Sequence, residues 1–193
     1  MHLARLRQAL AICAVAMLAS CAPVRSLEQS PSPAPAGTSE PAARVGPDLR
    51  PIDVRTALDV AAFVTPSGQI VCLLSSDGVR CDYFAEDKAW QAPQPGNCDI
   101  DTGWSLSVDR TAGTSCVGDS IVAKAAKGSG FESWHRPGDP AVAWNGLTLA
   151  ALPYGATIVV TTFRCDNLSS GVTCENESTG HGFFMSRESI RFF

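Results

Sequence analysis

The sequence predicts an all-β domain, a small sandwich or barrel assembled from disulfide-clipped hairpins and organised as two similar halves. Three observations carry this. The pattern C-x5-G-V-x-C followed by Asp or Glu occurs twice, from Cys72 to Asp82 and from Cys165 to Glu175. Short runs rich in β-branched residues, such as residues 157–162, are bounded by Gly, Ser, Asn and Pro. No segment sustains the period of a long amphipathic helix.

The N-terminal stretch MHLARLRQALAICAVAMLASCAP has a basic start at Arg5 and Arg7, an apolar run from Ala9 to Leu18 and small residues after it. That run is too short to span a bilayer, so residues 1–20 read as a secretory signal. Leu18-Ala19-Ser20-Cys21 fits the bacterial lipobox, which predicts cleavage before Cys21 and acylation of its sulfur. Two or more acyl chains anchor stably where one does not. The expected location is the extracytoplasmic face of the cell membrane, with the lipid on Cys21 as the membrane partner.

Residues 21–51 hold seven of the 13 prolines and no aromatic side chain. Such a segment buries too little apolar surface to offset its ordering entropy and reads as an extended tether. The signal peptide takes two arginines with it, leaving 13 Lys plus Arg against 19 Asp plus Glu, a net charge of −6. This sign argues against nucleic acid, whose phosphates need a basic patch.

Residues 52–193 are the size of one domain. Asp53 to Phe63 reads either as one short helix or as an entering strand. The six cysteines here, in an exported chain, predict disulfides. If Cys72 faces Cys81 in an antiparallel pair, Ile70 opposes Tyr83 and Leu74 opposes Val79 on one wholly apolar face. Val71 then meets Asp82, and Leu73 meets Arg80, on the other. Applied to Cys165 and Cys174, the same construction sets Asn167 against Val172, Phe163 against Asn176, and Arg164 against Glu175. The last is an opposite-charge cross-strand pair of the favoured kind. Both connections end in glycine, as a tight turn requires. Cys98 and Cys116 remain for each other and flank a third hairpin turning near Arg110 to Gly113. Each closed loop contributes about 2.5–3 kcal/mol in the chain-entropy model. A zinc site is disfavoured, because the spacing is C-x8-C and histidines are few. Further on, LTLAALPYGATIVVTTFRC reads as strands around a turn near Pro153 to Gly155, and GHGFFMSRESIRFF as strand, turn, strand near Arg187 to Ser189.

The segments TPSGQIVC, DGVRCD, CVGDS, LPYG, GVTCEN and TGHGFFMSR together resemble a family of small exported actinobacterial proteins, many lipid-anchored, known only as a domain of unknown function. The resemblance covers roughly Phe63 to Phe193. It implies place and fold but no reaction. The chain departs from that pattern at Lys124 to Asn145, which reads as an insertion, and at Ile190, where an aromatic residue is usual.

Candidate chemistry is sparse. Gly118-Asp119-Ser120 matches the nucleophile block of GDSL-type hydrolases, but the position three before His181 is Ser178 where those enzymes carry aspartate. A turn is the simpler reading. Asn97, Asp99 and Asp101 alternate like calcium ligands but lack the glycine and glutamate of a calcium loop. His181 sits between two glycines and suits a structural passage. As a catalytic base it would need a carboxylate from Asp82, Asp119 or Glu175. Trp134 and Arg136, of the types that dominate binding hot spots, suit an exposed recognition loop, against the simpler reading of an adaptable insertion with no role. Asn167 and Asn176 head glycosylation-type triplets that read as chance matches. No motif calls for a cofactor or metal. The expectation is a non-enzymatic binding or interaction module of the cell envelope with Trp134, Arg136 and His181 as contact residues and an envelope protein or ligand as partner; the alternative is an envelope hydrolase using His181.

Overall fold

The computed structural model describes residues 53–93, 98 and 104–193. The signal, Cys21, the tether and the Asn97–Asp101 acidic run, Cys98 apart, lie outside the described residues. No helix among the described residues is long and apolar enough to cross a membrane.

Two five-stranded antiparallel meanders dominate the architecture. The first comprises β2 (Val60–Val64), β3 (Ile70–Ser75), β4 (Val79–Tyr83), β5 (Ser105–Val108) and β6 (Ala112–Thr114), hydrogen-bonded in that order. The second repeats the design with β9 (Ala156–Val160), β10 (Phe163–Leu168), β11 (Gly171–Asn176), β12 (His181–Met185) and β13 (Ile190–Phe192). A further strand, β1 (Asp53–Ala57), adds parallel to β9. A separate two-stranded ribbon is formed by β7 (Ala141–Trp144) and β8 (Leu147–Ala150). Asp53 to Phe63 is therefore two strands in different sheets, bent apart at Leu58 and Asp59.

Both clipped hairpins have the predicted register. Ile70, Val71, Cys72, Leu73 and Leu74 oppose Tyr83, Asp82, Cys81, Arg80 and Val79. Phe163, Arg164, Cys165 and Asn167 oppose Asn176, Glu175, Cys174 and Val172. Disulfides join Cys72 to Cys81, Cys98 to Cys116 and Cys165 to Cys174. Disulfides pin register here because a slip of one residue would send each cysteine to the opposite face.

The two meanders pack face to face as a sandwich, not a closed barrel, and their equivalent rows meet in one core. Phe63, Cys72, Cys81 and Leu106 form a fully buried row across the first sheet, and Ile158, Cys165, Cys174 and Phe183 form its counterpart. The two disulfides touch at the centre, where Cys81 Sγ and Cys174 Sγ lie 3.6 Å apart. Neither sulfur carries a proton, so this is a packing contact. Cys72, Cys81 and Cys174 converge in space, but each is bridged and offers no thiolate to a metal.

The repeated glycine has a steric cause. A Cβ on Gly171, which has φ +143°, would lie 2.6 Å from the Met185 carbonyl oxygen and 2.8 Å from the Phe184 ring. One on its counterpart Gly78 would lie 2.9 Å from Val108 O. In each half the glycine lets the third strand of the clipped unit approach.

A second apolar cluster covers the outer face of the first sheet. Ala62, Val64, Val71 and Leu73 meet Ile121, Val122 and Ala125 around a short 3-10 turn (Val122–Ala125), and Leu149, Val142 and Trp144 from the ribbon. The segment Lys124 to Asn145 thus supplies part of a core layer. Ile190 also packs, partly buried, against the main core.

Candidate functional site

Trp134 requires a correction. It is only 4% exposed, lies edge-on to Phe63 with ring centroids 6.4 Å apart, and donates Nε1–H to the Ala62 carbonyl at 3.0 Å. The loop does not display it for recognition. Phe131 O accepts from Ala62 N at 2.9 Å, so the segment caps both polar groups of Ala62 on the edge of β2.

Arg136 belongs to an ionic brace beside that tryptophan. Arg55, 4% exposed, donates to Asp53 at 2.6 and 3.1 Å and to both oxygens of Asp139, and its guanidinium stands 5.7 Å from the centre of the Trp134 ring. Arg136 Nη1 donates to Asp53 at 2.8 Å, and its backbone N–H to Asp139 at 2.6 Å. Hydrogen bonding from Arg55 holds the Asp53 carboxyl below its usual range. Burial pushes Asp139 up, but the Arg55 bond and the Arg136 amide outweigh it and the net displacement is downward. Two carboxylates thus neutralise a buried arginine, tying β1 to the loop that carries Asp139.

His181 is exposed, and its Nδ1 lies 3.3 Å from the Phe193 carbonyl. It bonds to none of the three carboxylates considered for it. Asp82 is fully buried and held by two 2.8 Å bonds from Arg80, while the Asp119 carbonyl accepts from the same arginine at 2.9 Å. Glu175 lies across the ladder from Gly182. A Cβ on Gly182 would lie 2.6 Å from the Phe193 ring, so the Gly-His-Gly passage seats that terminal ring. Ser120 Oγ accepts from Val122 N at 3.2 Å, the local side-chain to backbone bond of a turn residue. Asn167 and Asn176 are both buried, consistent with chance triplets.

Two grooves lie where the two halves meet at their ends. At one end the β10–β11 turn (Ser169, Ser170), the β12–β13 turn (residues 186–188) and the β2–β3 loop of the other half enclose a groove of about 250 Å³, also lined by Tyr154. Its counterpart at the opposite end, about 700 Å³, is lined by the β3–β4 turn (Ser76, Asp77), the β5–β6 turn (Asp109, Arg110) and Thr162 after β9. The correspondence follows from the ladders. Val79 and Val172, each after the motif glycine, oppose Val108 and Met185, so Arg110 and Arg187 occupy equivalent positions. Each turn is clamped by the other half, since Asp109 O accepts from Asn176 Nδ2 at 2.7 Å and Ser186 O accepts from Trp90 Nε1 at 2.7 Å.

The walls of the smaller groove are fixed by side-chain to backbone bonds. Thr65 Oγ1 is 3.0 Å from Ser67 Oγ and accepts from Ile70 N at 3.2 Å. Ser186 Oγ accepts from Glu188 N and Ser189 N at 3.1 Å each. Tyr154 sits in a turn closed by Ala156 N to Pro153 O at 3.1 Å, with Gly155 at φ +82° as a type II turn prefers. The buried Asn167 pins this turn through Nδ2 bonds to Leu152 O and Pro153 O and by accepting from Gly155 N. Sequence reasoning missed this groove, although aligning the duplicated ladders would have paired Arg110 with Arg187.

A scan against protein-family models, a search of curated proteins and a search of solved structures each returned no match.

Proposed function

We propose that the chain is an extracytoplasmic lipoprotein, anchored through Cys21, whose sandwich serves as a non-enzymatic binding module of the cell envelope with the smaller end groove as its ligand site. The lipobox, the proline-rich tether and three disulfides support the location, as does the resemblance to exported lipid-anchored proteins. The observation that carries the binding role is the groove itself: a concave, hydroxyl-lined surface with rigid walls, assembled from both halves and presenting a half-exposed tyrosine. Preorganised walls lower the entropic cost of holding a ligand.

Two measurements test this. Cys21→Ser should move the protein from the detergent phase to the aqueous phase, and retention in detergent would refute the anchor. The soluble Cys21→Ser chain should co-sediment with envelope fragments, and Ser170→Trp, which fills the groove, should abolish co-sedimentation. Unchanged sedimentation of the Trp variant would remove the groove from the proposal.

A further inference from the structure

We infer that the smaller end groove recognises an uncharged saccharide unit of the envelope, stacked on Tyr154; this rests on the binding role proposed above. Four observations converge on this ligand class.

The groove is electrostatically self-satisfied. Arg187 reaches Glu188 at 2.8 Å and Asp87 at 4.0 Å, so the one guanidinium of the lining stands between two carboxylates and the local charge does not favour an anionic ligand. An uncharged ligand can use the outer donors and acceptors of this pair without breaking it.

The lining is polyhydroxylic. Ser169 and Ser170 make no side-chain hydrogen bond among the described residues, and each hydroxyl can donate or accept. A polyol presents the same dual groups, whereas a lipid tail would leave them unpaired at a cost of several kcal/mol in total.

Tyr154 is 46% exposed, while Tyr83, Phe63 and Phe183 are buried. Its turn is held at three points by Asn167, so the backbone beneath the ring is fixed before ligand arrives. A sugar ring offers a C–H face to such a platform and hydroxyl edges to the serines. An aromatic body with a polar tip suits that amphipathic shape.

The size and shape favour one ring over a polypeptide strand. About 250 Å³ is below the ~300 Å³ at which drug-sized sites begin. The walls are mostly turns and loops, and the strands that contribute Ile70, Leu168 and Gly171 are paired on both sides, so these strands offer a peptide no unpaired edge to extend.

The test uses the full chain in a non-glycosidic detergent and saturation-transfer NMR with uncharged tetrasaccharides of glucose, mannose and N-acetylglucosamine. At least one should receive saturation, strongest at ring C–H protons. Tyr154→Ala should weaken binding at least tenfold, Tyr154→Phe should retain most of it, and Arg110→Ala at the opposite groove should leave it unchanged. Transfer that survives Tyr154→Ala would overturn the inference. So would its absence from all three sugars: with Ser170-dependent co-sedimentation intact, the binding role stands and the saccharide falls, whereas loss of both signals overturns both.

Discussion

The two meanders share strand order, ladder register, bridged cysteines and the motif glycine, yet they face their surroundings in opposite ways. Val71 and Leu73 on the outer face of the first are apolar and lie under the second hydrophobic cluster. Their counterparts in the second are Arg164 and Asp166, paired with each other at 2.9 Å and partly open to solvent. The equivalent edge strands are also closed by different means. The edge of β2 is capped at Ala62 by Phe131 and Trp134, whereas β9 acquires β1 as a parallel neighbour. What persists between the halves is what fixes a clipped hairpin. What diverges is decided by whatever lies outside it.

The largest way to break this comparison is at Trp134, which has no counterpart over β9. Trp134→Ala removes a buried indole from beside Phe63 and frees the Ala62 carbonyl. We expect a loss of about 3–5 kcal/mol in denaturant unfolding. Trp134→Phe keeps most of the volume and should cost about 1–2 kcal/mol. A near-neutral Ala variant would mean that the Trp134 loop is not part of the core.

The motif glycines sharpen the comparison at intermediate size. Gly171→Ala meets both a positive φ and a carbonyl oxygen at 2.6 Å, while Gly78→Ala meets a carbonyl at 2.9 Å alone. The first should destabilise by roughly 2–4 kcal/mol and the second by roughly 1–2 kcal/mol. Equal midpoints in chemical denaturation would show that the two hairpins are interchangeable at this position.

The legible part of the fold was what the cysteines pin. Each nine-residue separation, with glycine at the turn into the second strand, sets every cross-strand partner, and all pairs so derived hold. Asp53 to Phe63 was ambiguous because its fate depends on two different sheets: β1 needs β9, about a hundred residues later, and β2 needs β3. Trp134 was misplaced for a related reason. Its loop has no period, and Phe63 and Ala62 lie over seventy residues away, so nothing local marks it as buried. The end groove was hidden because its walls come from turns of both halves, brought together only when the disulfides stack.

The smallest prediction concerns the acidic residue that closes each motif. Asp82 is buried and gripped bidentately by Arg80, but Glu175 at the equivalent position opposes Arg164, which turns to Asp166 instead. Burial, then repulsion from Asp166 and Glu177, raises the Glu175 carboxyl above the ordinary glutamate value of 4.5. A raised acid is protonated in both states at low pH. As pH climbs past 4.5 the unfolded chain loses its proton first, so stability falls until the folded pKa is passed. Glu175→Gln removes that fall. The variant should match the parent in unfolding free energy at pH 4 and exceed it at pH 7, by less than about 1 kcal/mol because the site is partly solvated. Asp82→Asn should instead destabilise at pH 7, since Arg80 then loses its charged partner. A pH-independent difference for Glu175→Gln would show that the two acidic positions are not set apart by their charge environments.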